Sequence, residues 1–275
     1  MKLKFVFITA LFLSAFTSMA QINLGEKALG AIGNGVNALM FSDSDAAKIA
    51  SQAIKKMDST NVVAGVKDAY TIRLNRVFGK HSTENGLKLN YKVYLTKEIN
   101  AFAMADGSVR VFSGLMDIMD DNQLLAVIGH EIGHVANHDS RDAMKTAYRN
   151  AALVDAVDSQ VNKDLSDNQM VQMGNALLQN KYSRKQESEA DLYSYEFMKR
   201  NKYNVNAVES AFTILAKLSE GQGSDFISKM MSSHPDPKQR AETAKAQAQA
   251  DGLYKPYVVV VTKKSTPKKP TKKKK

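Results

Sequence analysis

The stretch GHEIGHVANH, which runs from Gly129 to His138, is the most informative part of the chain, because it holds three of the five histidines and a glutamate. His130 and His134 are four residues apart, so on a helix their Cβ atoms lie on one face, about 5–6 Å apart. Two imidazoles at this spacing can bind one metal ion, and Glu131 can reach a water on that ion without binding the ion itself. The alternative interpretation of this short HExxH pattern is an ordinary histidine-rich helix.

The neighbouring residues predict that the stretch belongs to an amphipathic helix with Asp121 or Asn122 as its N-cap. Its apolar residues form a stripe that should face the core, with both histidines on the opposite side: Leu124, Leu125, Ile128, Ile132 and Val135. Gly129 and Gly133 each cost about 1 kcal/mol in a helix interior relative to alanine. We therefore expect another part of the chain to approach the helix closely at these glycines.

A zinc ion held by two histidines in a catalytic site needs a third protein ligand. The pattern HExxHxxGxxH does not supply it here, because Asn137 and Ser140 occupy its glycine and final histidine positions. His138 lies one turn beyond His134, and we expect its ring to point away from the site, as a packing residue or a support for a ligand.

An acidic cluster in SRKQESEADLYSYEFMKR, residues 183–200, is the other source of a third ligand. Glu187 is the favoured candidate within it, whereas a solvated helix face is the simpler interpretation of Glu189. Asp191 follows Glu187 by one helical turn, and it can accept a hydrogen bond from a ligand histidine and so fix the tautomer of that ring.

Four segments together resemble a known family of zinc metallopeptidases. They are NAFAMADGSVRVFSGLMD, GHEIGHVANH, ESEAD and SSHPDPKQR, in that order along the chain. The family includes HtpX, BepA, the Oma-type proteases and the Ste-type CAAX prenyl proteases. The resemblance covers about residues 60–245, and the order and spacing of four motifs are much more specific than HExxH alone.

The resemblance implies a zinc-dependent endopeptidase that holds one Zn²⁺ per chain. It implies His130, His134 and Glu187 as the metal ligands and Glu131 as the general base that activates a zinc-bound water. It further implies that Asp191 and Arg240 lie beside the ligands. For His234 it implies a place near the metal, where this residue either assists catalysis at the transition-state oxygen or caps the zinc.

One function is expected on these grounds, and two alternatives stand beside it. The expected function is hydrolysis of unfolded or misassembled envelope proteins, bound at a free strand edge near Ala101–Met104 or Val109–Phe112, with His234 or Tyr182 as a donor to the oxyanion. The second is an envelope chaperone or assembly factor whose zinc site is capped and little used. The third is a metal-sequestering protein, which would have no need of Glu131. Polypeptides are the expected partners, and nucleic acid is not.

The periodicity predicts an α+β fold: a mainly helical, zincin-like domain with a small antiparallel sheet of two to four strands next to the HExxH helix. Alternating apolar residues predict a strand over 87–95, and Asp106-Gly107 predicts the turn of a hairpin. Helical patterns cover residues 25–57, 62–80 and most of 121–250, and 253–262 is a possible last strand.

Both ends of the chain differ in composition from its middle. Residues 1–20 combine a basic start, a twelve-residue apolar run and small residues before Gln21, which is typical of a cleaved signal peptide. The predicted domains are this signal, an N-terminal helical segment over 21–60, the metallopeptidase domain over 61–252, and a C-terminal strand with a disordered lysine-rich tail over 253–275. We expect export to the periplasm or association with the outer membrane, with secretion as a further possibility.

The formal charge of +10 is concentrated at the two ends. Residues 255–275 contain nine lysines and no acid, and two more lysines lie in the signal, which leaves residues 21–254 at −1. The tail is therefore expected to be a solvated arm, either without a partner or in contact with an anionic membrane or glycan surface. The chain has no cysteine, so disulfides contribute nothing to its stability.

Overall fold

The computed structural model describes residues 42–84, 86–147, 180–221 and 225–259. All of them lie in one of the chain's two units, which comprises Phe41–Tyr148 and Lys163–Lys275. The predicted signal segment, the predicted helix over 25–41 and the lysine-rich tail from 260 onward lie outside the described residues. Among the helices described, none combines the length and the apolar character needed to cross a bilayer.

The described residues form a mainly helical α+β structure, which confirms the predicted fold class. The helices are α1 (Asp43–Thr60), α2 (Ala69–Phe78), α3 (Ser113–Ile118), α4 (Asp121–Ala136), α5 (139–147), α6 (Arg184–Arg200), α7 (Asn206–Glu220), α8 (Asp225–Ser233) and α9 (Pro237–Ala250). The strands are β1 (Thr83–Glu84), β2 (Leu87–Lys88), β3 (Asn90–Tyr94), β4 (Ala101–Ala103) and β5 (Ser108–Phe112).

A three-stranded sheet in the order β3-β5-β4 supports the site. β4 and β5 form the antiparallel hairpin that Asp106-Gly107 predicts. Gly107 has φ of 82°, and a Cβ there would lie 2.3 Å from the Lys88 carbonyl oxygen, so only glycine fits this turn. β3 pairs with β5 in parallel, so the sheet is mixed rather than purely antiparallel.

The two faces of the sheet pack against different helices, because successive strand residues point to opposite faces. Val109 and Val111 of β5 join the main core around α4, whereas Phe112 packs with the alanine-rich face of α1. Arg110 shares that second face and is almost fully buried. Its guanidinium pairs with Asp58 of α1, with Nε 2.8 Å from Oδ1, which fixes α1 on the sheet.

The predicted helix over 62–80 starts later than its pattern indicates. The Asp68 side chain accepts a hydrogen bond from the Tyr70 amide and caps α2 there. The residues before the cap pair with the sheet instead: the Ala64 amide donates to Val93 O over 2.9 Å, and the Leu95 amide donates to Val62 O over 2.8 Å. The predicted strand over 87–95 is divided into β2 and β3.

The predicted last strand is wrong for residues 253–259, which have no regular secondary structure. Backbone groups of this segment that would pair with a neighbouring strand form hydrogen bonds with the side chain of Asn206 instead. Its Nδ2 donates to Leu253 O over 3.1 Å, and its Oδ1 accepts from the Lys255 amide over 3.0 Å. The remainder of the predicted strand lies outside the described residues.

Candidate active site

Helix α4 carries the HExxH residues and is buried along most of its length. Its N-cap is Asp120, one residue earlier than expected, and Asp120 forms a capping box with Gln123. Residues 123–134 are all buried, so the helix has a second buried face besides the predicted apolar stripe. His130 and His134 lie on that second face, where the charge and polarity of the surroundings decide their chemistry.

The two glycines of α4 allow helix α6 to approach closely, which confirms the expectation drawn from them. A Cβ on Gly133 would lie 3.0 Å from both Cα and O of Ala190, and a Cβ on Gly129 would lie 3.4 Å from Cα of Ser194. The Ser194 hydroxyl also donates to Ala126 O over 2.6 Å. This contact brings Glu187, in the first turn of α6, to the histidine face of α4.

Four buried side chains converge at this point: His130, His134, Glu187 and His234. The Nε2 atoms of His130 and His134 are 3.1 Å apart, and His134 Nε2 is 3.6 Å from Glu187 Oε1. His234 Nδ1 is 3.2 Å from His130 Nε2 and 3.0 Å from Glu187 Oε1. Ligand atoms around a tetrahedral zinc ion lie about 3.3 Å apart, so these spacings fit one ion.

A carboxylate lies beside the Nδ1 atom of each HExxH histidine. His134 Nδ1 donates to Asp139 Oδ2 over 2.9 Å, because a carboxylate only accepts hydrogen bonds, and the Nε2 of His134 therefore presents a lone pair to the centre. His130 Nδ1 lies 2.9 Å from Asp191 Oδ1 and 3.0 Å from Arg240 Nη2, so this ring is held between a carboxylate and a guanidinium. Carboxylates that support ligand histidines in this way are typical of zinc sites.

The charge of the site also fits a divalent cation. Four carboxylates are buried around it, from Glu131, Asp139, Glu187 and Asp191, whereas Arg240 is the one buried guanidinium among the described residues there. A buried charge needs a partner of opposite sign. Although burial alone would raise the pKa of Glu187, its contacts with His134 and His234 hold it well below its usual range, so Glu187 is ionised.

Burial also sets the protonation state of the first HExxH histidine. It lowers the pKa of His130 well below its ordinary value, with the nearby positive charge of Arg240 as the next cause. His130 is therefore neutral, as a metal ligand must be. For His134 burial acts in the same direction, but the hydrogen bond with Asp139 and the negative charge of Glu187 outweigh it and raise the pKa.

Arg240 holds two of the carboxylates in place. Its Nε and Nη2 donate to the two oxygens of Asp191 over 2.9 and 2.6 Å. Its Nη1 lies 2.6 Å from Glu187 Oε2, although that N–H does not point at the oxygen, which has no hydrogen bond among the described residues. The guanidinium also lies over the ring of Phe212, 4.0 Å from its centroid.

Glu131 faces the cleft with an unpaired oxygen. Its Oε1 is buried and has no hydrogen-bond partner among the described residues, and His234 Nε2 lies 3.8 Å from it. Burial raises the pKa of Glu131 to about 7. A carboxyl group with such a pKa can both accept and return a proton at neutral pH.

The cleft runs between strand β4 and the site and spans about 500 Å³, including the part open to solvent. Residues 100–105 line one side, and Glu131, Tyr182 and His234 line the other. The Tyr182 ring stacks on His134, with centroids 3.8 Å apart, and the Tyr182 amide donates to Ser233 O over 3.2 Å. The segment before α6 and the end of α8 are therefore joined at the cleft.

The residues just after α4 agree with the expectation in one respect and differ in another. His138 points away from the site, as expected, but it lies exposed in a left-handed turn with φ of 65°, with its ring half exposed beside Asp43, rather than packed or in support of a ligand. Asp139, the next residue, contacts His134 instead, and sequence reasoning missed it. The available signal was an acid five residues after the second histidine, directly after the helix end.

Comparison with known proteins agrees with this geometry. Peptidase family M48 matches residues 70–248. The chain is 39% identical to the metalloprotease YcaL of Escherichia coli (strain K12) over 85% of its own length and 95% of that protein. It is 38% identical to the metalloprotease LoiP of the same organism, over 78% of its own length and 85% of that protein.

A more distant relative is the mitochondrial metalloendopeptidase OMA1 of Arabidopsis thaliana, which is 31% identical over 56% of the chain and 31% of that protein. M48 enzymes use zinc, and the buried group of three histidines and a glutamate provides the place for it. The chain belongs to peptidase family M48 and is a zinc-dependent metalloendopeptidase.

Proposed function

We propose that this enzyme hydrolyses peptide bonds in unfolded or misassembled proteins of the cell envelope, with His130, His134 and Glu187 as zinc ligands and Glu131 as the general base. The observation that carries the proposal is the convergence of two histidine Nε2 atoms and an ionised carboxylate beside the unpaired oxygen of Glu131. When bound there, zinc supplies a Lewis acid that acidifies water and polarises a peptide carbonyl.

Glu131 performs the proton transfers in this proposal. Its free oxygen accepts a proton from the attacking water, and the resulting acid then donates that proton to the nitrogen of the leaving amine. The pKa of about 7 that burial gives to Glu131 suits both directions of transfer. Tyr182 and His234 line the cleft beside it, and either can donate to the oxygen that gains negative charge.

Strand β4 supplies the binding edge for the substrate. Backbone bonds from Phe112 N to Asn100 O and from Met104 N to Ser108 O show which residues face β5. The alternation of an antiparallel ladder then turns the N–H and C=O groups of Ala101 and Ala103 away from β5. The Ala101 N–H already donates to Asn100 Oδ1 over 2.9 Å, and Ala103 O accepts from the Ser140 hydroxyl over 3.5 Å, so Ala101 O and the Ala103 N–H are the groups offered to a substrate. An extended polypeptide can pair with them through its main chain, which gives binding with little sequence preference. Of the two edges considered from the sequence, β5 is paired on both sides.

His234 gives the second candidate function its support. Its Nδ1 lies among the ligand atoms, 3.0 Å from Glu187 Oε1, where it would complete a four-ligand set, and a catalytic zinc site needs an open position. In this arrangement His234 caps the site, and the ring must move aside before a peptide can be cleaved. The same capped geometry is expected of a chaperone or assembly factor whose zinc site seldom cleaves a peptide, so it also supports the second candidate function.

Replacement of Glu131 by glutamine tests the peptidase proposal. We expect Glu131→Gln to retain zinc and to lose cleavage of unfolded casein by a factor of about 10² or more, because the proton acceptor is removed. Glu189→Gln is the matched control. Because Glu189 is exposed on α6, this variant should cleave casein at the wild-type rate. A Glu131→Gln protein that keeps zinc and cleaves at the wild-type rate would refute the assignment.

His234→Ala separates the two roles of the histidine. A cap that only blocks the fourth position predicts cleavage at least as fast as in the wild type, because the ring no longer has to move. A donor to the reacting oxygen predicts slower turnover with zinc content unchanged. A wild-type protein that binds zinc and suppresses aggregation of unfolded proteins, but cleaves none with or without His234, would favour the chaperone function.

The envelope location rests on the amino-terminal pattern alone. We propose cleavage after Ala20 and export of the chain from Gln21 onward. The intact mass of the protein purified from the periplasm tests this, with a chain that starts at Gln21 as the expected result. Recovery of the full-length chain from the cytoplasm alone would contradict it and would remove envelope proteins as substrates.

A further inference from the structure

We propose that the cleft continues into a side pocket that binds one apolar side chain of the substrate, about two residues from the bond that is cleaved. The walls of the side pocket are Ala46, Leu87, Ala105, Val135 and Ala136. This inference deepens the proposed peptidase function and rests on it. Pairing of the substrate main chain with β4 gives little sequence preference, and the side pocket would add a preference for one type of side chain.

The side pocket is continuous with the catalytic cleft. Ala105 lines both of them. Glu131 lines the cleft and Val135 lines the side pocket, and these residues are four apart on α4, which is about 6 Å along the helix axis. On the other wall Ala105 lies just beyond the end of β4, in the turn that the Gly107 amide closes by donating to Met104 O over 2.9 Å. The helix wall therefore advances by about 6 Å from Glu131 to the side pocket, and the turn after β4 closes its other side.

This distance fixes which substrate residue reaches the side pocket. A polypeptide paired with β4 advances about 3.3 Å per residue, and its side chains alternate between faces. A step of about 6–7 Å therefore corresponds to two residues, which is also the spacing of side chains on the same face. One substrate side chain, at one fixed position, is thus directed at the side pocket.

The chemistry of the side pocket selects an apolar side chain. Ala46 forms a fully buried part of its wall, and the other four wall residues are partly exposed. The space enclosed is about 470 Å³, including the part open to solvent, which admits one large side chain. Burial of an apolar group against such walls is favourable by about 25 cal/mol per Å².

The charged residues that line the side pocket, Asp43, His138 and Arg141, are poorly suited to bind a charged substrate side chain. Arg141 Nη1 lies 3.1 Å from Asp43 Oδ1, and Arg141 Nη2 lies 2.8 Å from Asp142 Oδ1. His138 Nδ1 lies 3.6 Å from the other oxygen of Asp43. Because these groups already pair with one another, a charged substrate residue would have to compete for partners that are in use.

Part of the side pocket comes from residues that precede the span matched by the family. Asp43 and Ala46 belong to α1, which lies before residues 70–248, the span that matches the family. The catalytic residues lie inside that span. The specificity of the enzyme is therefore set in part by a helix outside the catalytic core, which the Arg110–Asp58 ion pair fixes on the sheet.

Mapping of cleavage sites tests the inference. The zinc-loaded enzyme is incubated with a set of unfolded proteins, and the products are sequenced by mass spectrometry. We expect one substrate position, about two residues from the cleaved bond, to show a preference. At that position Leu, Ile, Val, Met or Phe should be favoured over Ser or Asn by about tenfold, which is the discrimination that a few buried methylene groups give in a hydrophobic pocket.

Two variants change the side pocket in opposite directions. Ala136→Phe fills it and should abolish the preference at that position while cleavage of other sequences continues. Leu87→Ala enlarges it and should shift the preference toward Phe and Met, and it also tests the inference should Ala136→Phe fail to fold. Ala246→Phe is the matched control, because Ala246 is exposed on α9, and its profile should equal that of the wild type.

The outcomes separate the two proposals. An enzyme whose Glu131-dependent cleavage shows no positional preference, or a folded Ala136→Phe or Leu87→Ala variant with the wild-type preference, overturns the side pocket alone. A zinc-loaded wild type that cleaves none of the substrates overturns the proposed function itself. A shift confined to the one position in both variants supports the inference.

Discussion

Asp139 and Asp191 determine how the two HExxH histidines present themselves. Asp139 accepts the Nδ1–H of His134 over 2.9 Å and leaves the Nε2 lone pair of that ring for the metal. Asp191 Oδ1 lies 2.9 Å from His130 Nδ1, and the Arg240 guanidinium, which Asp191 holds, lies 3.0 Å from the same nitrogen. Asp139 is held in turn by Gln186, whose Nε2 donates to Asp139 Oδ1 over 2.9 Å. The histidines are therefore oriented before any metal arrives, which reduces the entropy lost on binding.

Asp139→Asn is predicted to weaken zinc binding by about 10- to 100-fold, because the amide is a poorer acceptor for the His134 Nδ1–H. Competition with a chelator of known affinity measures this. Asp142→Asn is the control, since Asp142 is an exposed residue that pairs with Arg141 and should leave zinc affinity unchanged. Equal affinities for the two variants would show that Asp139 does not orient His134.

At the residue scale, helical spacing is enough to predict part of the site. His130 with His134, and Glu187 with Asp191, are pairs four residues apart on single helices, so each pair shares a face regardless of the rest of the fold. Asp139 could not be found in this way, because it comes directly after a left-handed residue, His138. The direction of a chain after such a turn depends on tertiary contacts that periodicity does not encode.

Helices α4 and α6 form the element that joins the candidate ligands. The glycines of α4 remove the two Cβ atoms that would keep α6 away, and the backbone of Ala190 occupies the space at Gly133. Because that neighbour is backbone rather than a flexible side chain, a Cβ added at Gly133 could be accommodated only if helix α6 moved away from α4 as a whole. Their separation would carry Glu187 away from the histidines.

Gly133→Ala is predicted to lower the free energy of unfolding by about 1–3 kcal/mol, since the overpacking at Ala190 outweighs the better helix propensity of alanine. It should also lower zinc affinity. Urea denaturation and metal analysis measure the two effects. In Gly65→Ala the added Cβ meets nothing within 4 Å, so that variant should differ by less than about 0.5 kcal/mol. A Gly133→Ala protein as stable as the wild type would contradict the packing argument.

The strands show where sequence reasoning ends at the element scale. The β4–β5 hairpin is predicted by a local Asp-Gly turn. The parallel pairing of β3 with β5 joins residues from Asn90↔Ser108 to Tyr94↔Phe112, and no local pattern distinguishes it from an antiparallel pairing. Likewise, the late start of α2 reflects pairing of residues 62–64 with the β3 region, which competes with helix formation.

At the scale of the whole molecule, the buried negative charge links stability to the metal. The four buried carboxylates of the site face a single guanidinium among the described residues, and such uncompensated charge is costly inside a protein. Removal of zinc by a chelator is predicted to lower Tm, because the metal binds the native state and not the unfolded chain. Differential scanning calorimetry measures this shift.

The identity of the ion provides the control for that experiment. Stoichiometric Zn²⁺ should restore the original Tm, whereas Mg²⁺ should not, because imidazole ligands suit zinc and oxygen-only sites suit magnesium. A Tm that is unchanged by complete removal of zinc would show that the charge of the site is balanced without it.

The lysine-rich tail yields a prediction for the chain as a whole. Deletion of residues 263–275 removes eight lysines and is predicted to weaken binding to vesicles that contain anionic lipid, since each lysine near such a surface contributes about 1 kcal/mol. Casein cleavage should be unchanged. Vesicle sedimentation at low and physiological salt measures the difference, and equal binding by both proteins would leave the tail without this role.

The central claim concerns one zinc ion bound by side chains from two distant segments. Anomalous diffraction at the zinc edge, from crystals of the purified enzyme, tests it most directly. We predict one peak about 2.0–2.2 Å from His130 Nε2, His134 Nε2 and an oxygen of Glu187. A peak that lies beyond bonding distance of Glu187, or on another group of residues, would contradict the claim.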